Sequence, residues 1–261
     1  MNITVCLKQV PNTTEIKIDP ITNTLKRDGV ESIINPDDKT ALEAALQLKD
    51  MFGATVNVIS MGPPQAEIAL REALAMGADN VYLVTDRAFA GSDTLATSTI
   101  LASAMRYVGY DIIIAGRQAI DGDTAQVGPQ IAEHLHLPQV TYVTDIDYNK
   151  DENSYTMTRQ MEDRVQKVKV KGQVLITVLS SLAKPRYMNV IDIIGQDYKT
   201  INILTYNDLQ PDKTKIGLDG SPTKVKATFN KQFNGEKKVL TLPAVEAAKQ
   251  VAELLASKHI I

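Results

Sequence analysis

The residues best placed to do chemistry lie together, in the run G-R-Q-A-I-D-G-D-T-A-Q-V from Gly116 to Val127. Gly116 lets the backbone leave a strand and approach a ligand closely. Asp121, Gly122 and Asp123 spell a tight turn, with Asp123 suited to cap a helix, and Thr124 and Gln126 offer neutral hydrogen-bonding side chains. The amides from Thr124 to Gly128 fall at or just before a helix start, and Pro129 suits its first position. Unpaired amides and the positive end of a helix dipole favour an anion, here a phosphate or diphosphate, to which Arg117 adds charge. A plain capped turn explains the same residues, and in it Asp121 and Asp123 would repel phosphate. On chemistry alone the two readings stand equal.

Other chemistries lack their residues. There is no Walker A loop, no G-x-G-x-x-G after a strand and no G-x-S-x-G elbow. His134 and His136 stand two apart on an expected helix, so they cannot share a metal, and His259 sits near the end of another. No nucleophile–base pair emerges, so redox chemistry here would belong to a bound cofactor.

The elements that must position the Gly116 loop follow from hydrophobic periodicity. Ile3 to Leu7, Thr55 to Ser60, Val81 to Thr85 and Asp111 to Ala115 read as strands. Between them lie helices starting at Asn35-Pro36-Asp37-Asp38, at Gln65 after the Met61-Gly62-Pro63-Pro64 turn, and at Ser92 or Asp93, with a fourth from Gln130 to Leu135. Glu15 to Ile18 and Thr24 to Arg27 read as a surface strand pair. The β-α alternation implies a doubly wound, mostly parallel α/β sheet covered on both faces. Ligands of such sheets bind at the carboxyl ends of the strands, where Cys6 to Gln9, Met61 and the Asn35–Asp38 helix start would join the Gly116 loop. Thr141 to Asp147, Ser154 to Met161, Arg164 to Lys171 and Val174 to Ser180 read as antiparallel additions. From Lys184 onward hydrophobic density falls and Gly and Pro recur, so the expected organisation is a nucleotide-binding domain over 1–183 and an extended C-terminal arm over 184–261. The arm ends in an amphipathic helix from Pro243 to Lys258, and an arm laid across a partner is favoured over a flexible tail.

Composition bounds the partners. The chain has 261 residues, 44% of them hydrophobic, and a net charge of -3. That suits a sizeable core and argues against nucleic acid, whose phosphates are bound by clustered Lys and Arg. A single cysteine, Cys6, allows no internal disulfide, and no apolar run approaches the length of a membrane span. The expected setting is a reducing cytoplasm.

Over nearly its whole length the chain resembles the β subunit of electron transfer flavoproteins. The resemblance is carried by V-C-L-K-Q-V-P at 5–11, I-N-P-D-D at 34–38, M-G-P-P-Q at 61–65 and A-L-A-M-G-A-D at 73–79. G-R-Q-A-I-D-G-D-T-A-Q-V-G-P at 116–129 and K-P-R-Y at 184–187 complete it. A family signature further on is less well kept, with Glu162-Asp163-Arg164 and Gly172-Gln173 at its positions. The resemblance implies a β-subunit pocket holding AMP in conventional members and FAD in electron-bifurcating ones. Its contacts would fall on Cys6, Asn35, Pro36, Asp37, Asp38, Met61, Gly116, Arg117, Gln118, Ala119, Ile120, Asp121, Gly122, Asp123, Thr124, Ala125, Gln126 and Val127. The loop resembles the bifurcating spelling rather than the D-D-x-N-Q-T of AMP holders, which implies FAD. NADH would then be a transient substrate, ferredoxin or flavodoxin one electron acceptor, and a dehydrogenase of acyl-CoA, enoyl-CoA or hydroxy-acid type the other, reached through the FAD of an α subunit. The dehydrogenase would dock near Pro185, Arg186, Tyr187 and Val190. There Val190 replaces the family's usual leucine, and 192–197 replace its lysine-rich run, which implies a different partner surface or a permanent complex. The alternatives are a conventional carrier with structural AMP and a nucleotide sensor of the universal-stress type without redox role.

Overall fold

The computed structural model describes residues 1–12, 31–195, 199–224 and 239–261. The surface strand pair expected within 15–27 lies outside them. The chain divides into two compact units, Met1–Lys226 and Ala227–Ile261.

The first unit is built on a nine-stranded sheet. β1 (Asn2–Cys6) leads through a small antiparallel pair, β2 (Gln9–Pro11) and β3 (Ser32–Ile34), into α1 (Pro36–Phe52). Then come β4 (Thr55–Met61), α2 (Glu67–Met76), β5 (Asn80–Val84), α3 (Thr94–Val108), β6 (Ile112–Gly116) and α4 (Val127–Leu135). β7 (Gln139–Asn149), β8 (Ser154–Gln160), β9 (Val165–Lys171) and β10 (Val174–Val178) follow, then α5 (Val190–Gly195), β11 (Ile201–Leu204) and the one-turn α6 (Tyr206–Leu209). The strand order is β11-β5-β4-β1-β6-β10-β7-β8-β9.

Apolar runs alternate sides along the parallel strands and split the core into two layers. Ile3, Val5, Val58, Ile112, Ile114 and Ile176 face Leu42 and Leu46 of α1 and Leu70 and Leu74 of α2. Ile59, Val84, Ile113 and Leu175 face Ile100 and Met105 of α3 and Ile131 of α4. Helices on both faces are what a parallel sheet requires.

Glycine ends α1, where Gly53 takes the left-handed conformation (φ 68°) and donates to the Lys49 carbonyl. Asp93 caps α3, accepting from the Ala96 amide. At the far end of the sheet, Tyr148 packs edge-on against Phe52 at 5.2 Å and beside Tyr155 at 4.8 Å, which holds the β7–β8 hairpin to the last turn of α1.

Three expectations need correction. β10 is not an antiparallel addition: it lies parallel between β6 and β7, buried at every position. V-L-I-T-V has apolar residues at four of five positions, a pattern compatible with a central parallel strand, while only β7, β8 and β9 form the antiparallel extension. Nor does the main unit end near 183. β11 pairs in parallel with β5, and Leu204, Ile216 and Ser221 are buried against that unit. A four-residue edge strand needs little hydrophobic sequence, so falling hydrophobic density did not mark it. Third, α4 begins at Val127, three residues before the expected Gln130, so Pro129 stands third in the helix, where its missing N–H is still no loss.

Beyond 238 the second unit is described by α7 (Ala244–Ser257), which buries none of its residues and leaves Val245, Val251 and Leu254 exposed.

Gly128 makes the packing of α4 onto β10 possible, since a Cβ there would lie 2.7 Å from Thr177 Cγ2. Gly128→Ala is expected to destabilise the chain by about 1–3 kcal/mol through overpacking. Adding Thr177→Ser, which removes that methyl but keeps the hydroxyl accepting from the Tyr142 amide, should restore most of it in chemical denaturation.

Candidate functional site

The strand order reverses between β1 and β6, so the carboxyl ends of these two strands open the crevice where sheets of this kind bind ligands. β1, β4 and β6 are immediate neighbours, and their ends bring Cys6, Met61 and Gly116 to one edge. The first turn of α1 closes over that edge. A Cβ on Gly116 would fall 2.2 Å from Asp38 Oδ1 and 2.8 Å from the Asp37 carbonyl carbon, so only glycine permits the approach.

Asp38 is the knot of this arrangement. Its Oδ2 accepts from the Lys8 amide at 2.8 Å and its Oδ1 from the Gly116 amide at 3.1 Å, tying the exit of β1 to the exit of β6. Burial pushes the carboxyl up to about 7, against the opposing pull of those amides. Asn35 sits at the N-cap position of α1, but its side chain does not cap. Instead its Nδ2 donates to the Gln118 carbonyl at 2.8 Å and its Oδ1 accepts from the Ile120 amide at 3.0 Å, fixing the loop to the helix start. Asp37 lies 3.4 Å from Arg117 Nε in a partly buried ion pair. Burial raises the Asp37 carboxyl, and Arg117 and the Gln118 amide oppose that rise.

Several further polar side chains of the loop are engaged as well. Lys8 Nζ holds Asp121 at 2.7 Å, Gln118 Nε2 donates to Asp123 at 2.7 Å, and Thr94 Oγ1 donates to Gln126 Oε1 at 2.9 Å. Asp123 therefore does not cap α4, whose N-cap is Gln126. Both aspartates that would have repelled phosphate have partners. The loop backbone is left-handed at both Asp123 (φ 49°) and Ala125 (φ 51°). A left-handed alanine is strained by about 1 kcal/mol or more, the kind of strain that collects at ligand sites. Among the described residues nothing accepts from the amides of Thr124 and Ala125. Ser60, at the end of β4, is buried, and its Oγ has no partner. Left-handed turns with free amides at a helix start form an anion nest, and the spare hydroxyl adds a polar group at the same sheet edge.

Cys6 supplies no thiolate, because burial and the Asp38 carboxylate both push its thiol upward. His134 shares its Nε2 with the hydroxyls of Ser98 and Thr99, and His136 forms the left-handed end of α4, so neither reaches the crevice. The cradle is an open shelf rather than a cavity, with Ile120, Gly122, Asp123 and Thr124 exposed. A cavity of about 580 Å³ lies next to it, lined by Ile34, Pro36, Lys39, Glu72, Ser180 and Lys184 among others and not by the loop. Among the residues named for docking, Tyr187 and Val190 are exposed, whereas Arg186 turns inward onto α1. Lys8, Ser60 and Thr94 were not singled out in the sequence. Lys8 stands inside the V-C-L-K-Q-V-P run, where a lysine leaving a buried strand was the available signal.

A family model described as the electron transfer flavoprotein domain matches residues 22–208. The chain belongs to that family. It is 55% identical over 261 residues, with both chains fully covered, to the electron transfer flavoprotein subunit beta of Clostridium acetobutylicum. It is 48% identical, again over the whole of both chains, to the caffeyl-CoA reductase-Etf complex subunit CarD of Acetobacterium woodii. A third relative, the acryloyl-CoA reductase electron transfer subunit gamma of Anaerotignum propionicum, is 43% identical with both chains fully covered. Electron transfer flavoproteins generally bind flavin and AMP, and the residues of the shelf fit the phosphate end of either. Among the described residues no helix is long and apolar enough to cross a membrane.

The flavoprotein-family shelf depends on Asp38, and its ionisation predicts a pH dependence. The carboxyl is raised in the folded chain, so its contribution to stability is full below the ordinary value of 3.8 and is lost as pH rises through about 7. The stability of the wild type relative to Asp38→Asn should therefore fall across that window, by on the order of 4 kcal/mol. Denaturant titrations of both proteins from pH 4 to 8 measure it, and a difference that stays flat would contradict the buried-carboxyl account.

Proposed function

We propose that the chain is the β subunit of an NADH-linked, electron-bifurcating flavoprotein and that its Gly116–Val127 shelf holds the diphosphate of FAD. The observation that carries the reading is the shelf itself. It has two left-handed non-glycine residues, free amides at Thr124 and Ala125, and aspartates that already have partners, all at the strand-order reversal. The sequence of this loop, similar to that of bifurcating members, favours FAD over AMP. Relatives named as parts of caffeyl-CoA and acryloyl-CoA reductase complexes support a CoA-ester dehydrogenase as the downstream partner.

A bound flavin would supply the redox chemistry, accepting a hydride from NADH and releasing electrons singly, one toward ferredoxin or flavodoxin and one through the FAD of an α subunit to the dehydrogenase. The chain's residues bind and orient. The amides of 124–127 and the start of α4 would hold the phosphates, Arg117 would add positive charge, and Asn35 and Asp38 hold the loop against the strand ends. Because Arg117 is already paired with Asp37, its charge near the phosphates is partly compensated, and the backbone dipoles carry most of the attraction. Cys6 and Met61 line the strand ends as apolar, non-reacting walls. No side chain acts as an acid or base. The second unit, with its unburied amphipathic helix, would lie on the α subunit, and the exposed Tyr187 and Val190 region would meet the dehydrogenase.

The test is to co-express the chain with its α subunit, extract the nucleotides and count them. Two FAD per heterodimer is the expected result. One FAD with one AMP overturns bifurcation in favour of a conventional carrier, and absence of flavin overturns the redox reading altogether in favour of a nucleotide sensor.

A further inference from the structure

α5 is six residues long, too short to be stable as an isolated helix. Yet it and the residues before it present a run of exposed apolar side chains. Tyr187 is 91% exposed, Val190 69%, Ile191 78% and Ile194 66%. Something outside the helix must order this patch, and two polar anchors do so. Asn189 donates its amide to the Ala75 carbonyl at the end of α2, at 3.0 Å, while its own Oδ1 accepts from the Ile191 amide at 2.8 Å and starts the helix. Arg186 makes the second anchor, on α1. Its Nε and Nη2 reach the two oxygens of Glu43 at 2.8 and 3.1 Å, its backbone amide donates to the same carboxylate at 3.0 Å, and Nη2 also holds Asp50 at 2.8 Å.

Glu43 is 4% exposed, so its charge depends on this arginine. The fork geometry is one that lysine cannot reproduce. Three of the five guanidinium N–H donors, on Nε and Nη2, are spent inward on α1, so most of the side chain's hydrogen bonding holds the segment in place, while its neighbours are well placed to meet an incoming protein.

We infer that Arg186, Glu43 and Asp50 form a clamp on α1 that, together with the Asn189 anchor on α2, holds the 187–194 apolar patch in one position, so that the partner dehydrogenase meets an ordered surface. The inference rests on the docking reading above and assigns Arg186 a positioning role rather than a contact. The patch carries a single charged residue, Asp192, so docking there gains little from electrostatic steering. It depends instead on apolar burial, and a patch ordered in advance loses less conformational freedom on binding. α1 serves both ends of the device: its first turn holds the cofactor shelf through Asp38, and its middle holds the docking patch through Glu43.

The experiment uses the chain in complex with its α subunit, with two electron acceptors. One is the flavin-dependent CoA-ester dehydrogenase that purifies with the complex, and the other is ferricenium, a small oxidant that needs no docking. Arg186→Gln is expected to raise the KM for the dehydrogenase at least tenfold, with kcat, ferricenium reduction and nucleotide content unchanged. Glu43→Gln should act in the same direction, the double variant should be no worse than the weaker single variant, and Arg186→Lys should fall between Arg186→Gln and the wild type. Val190→Asp serves as the control for docking. If Val190→Asp raises the KM and Arg186→Gln does not, the clamp is wrong while the docking surface stands. If neither changes the KM, the docking reading has failed and the clamp with it. A fall in ferricenium reduction or nucleotide content alongside the KM effect would reduce Arg186 to a general structural support and overturn the positioning role.

Discussion

One carboxylate organises the working edge of this molecule. Asp38 accepts a hydrogen bond from the amide after β1 and another from the last residue of β6, the two strands between which the sheet order reverses. Buried backbone amides at strand ends need acceptors, and an orphaned one costs about 1–3 kcal/mol. A single side chain in the first turn of α1 meets both needs, which is possible only because Gly116 has no Cβ to block the approach. The position of α1 follows from that knot, and the Gly116 loop follows from α1 through Asn35. The burial that raises the Asp38 carboxyl is the cost of gathering the crevice at one point.

The same economy shapes the loop. Lys8, Gln118 and Thr94 occupy Asp121, Asp123 and Gln126 internally, and the amides of Thr124 and Ala125 are left without acceptors among the described residues. In the proposed reading, a site built from backbone dipoles would recognise phosphate without committing to the chemistry of the rest of the ligand. That suits a family whose members generally bind flavin and AMP.

Much of this was readable in the sequence. β-branched runs separated by helical stretches specify a parallel sheet, and Gly116 followed by Asp121-Gly122-Asp123 marks where the chain leaves it. Less was readable where long-range packing decided the outcome. Val174–Val178 reads equally as a hairpin strand or a central one, and only its neighbours β6 and β7 settle the matter. β11 is too short and too half-buried to stand out from the weakly hydrophobic sequence around it. The start of α4 was placed late because Pro129 looks like a first residue, although proline is tolerated through the first turn. Asn35 was a natural cap by type, and its use as a loop anchor depends on residues 83 and 85 positions away. The pairing of Arg186 with Glu43, 143 positions apart, left no local trace at all.

The central claim is that the amides at the start of α4 hold the phosphates of the bound nucleotide. Hydrogen exchange at individual amides, compared between the nucleotide-loaded complex and the same complex stripped of nucleotide, tests it most directly. The account predicts that protection gained on loading concentrates at Thr124, Ala125, Gln126 and Val127, with the end of β4 around Ser60 following. Protection that appears instead around Ser180, Ser181 and Lys184, at the neighbouring cavity, with 124–127 unchanged, would contradict it.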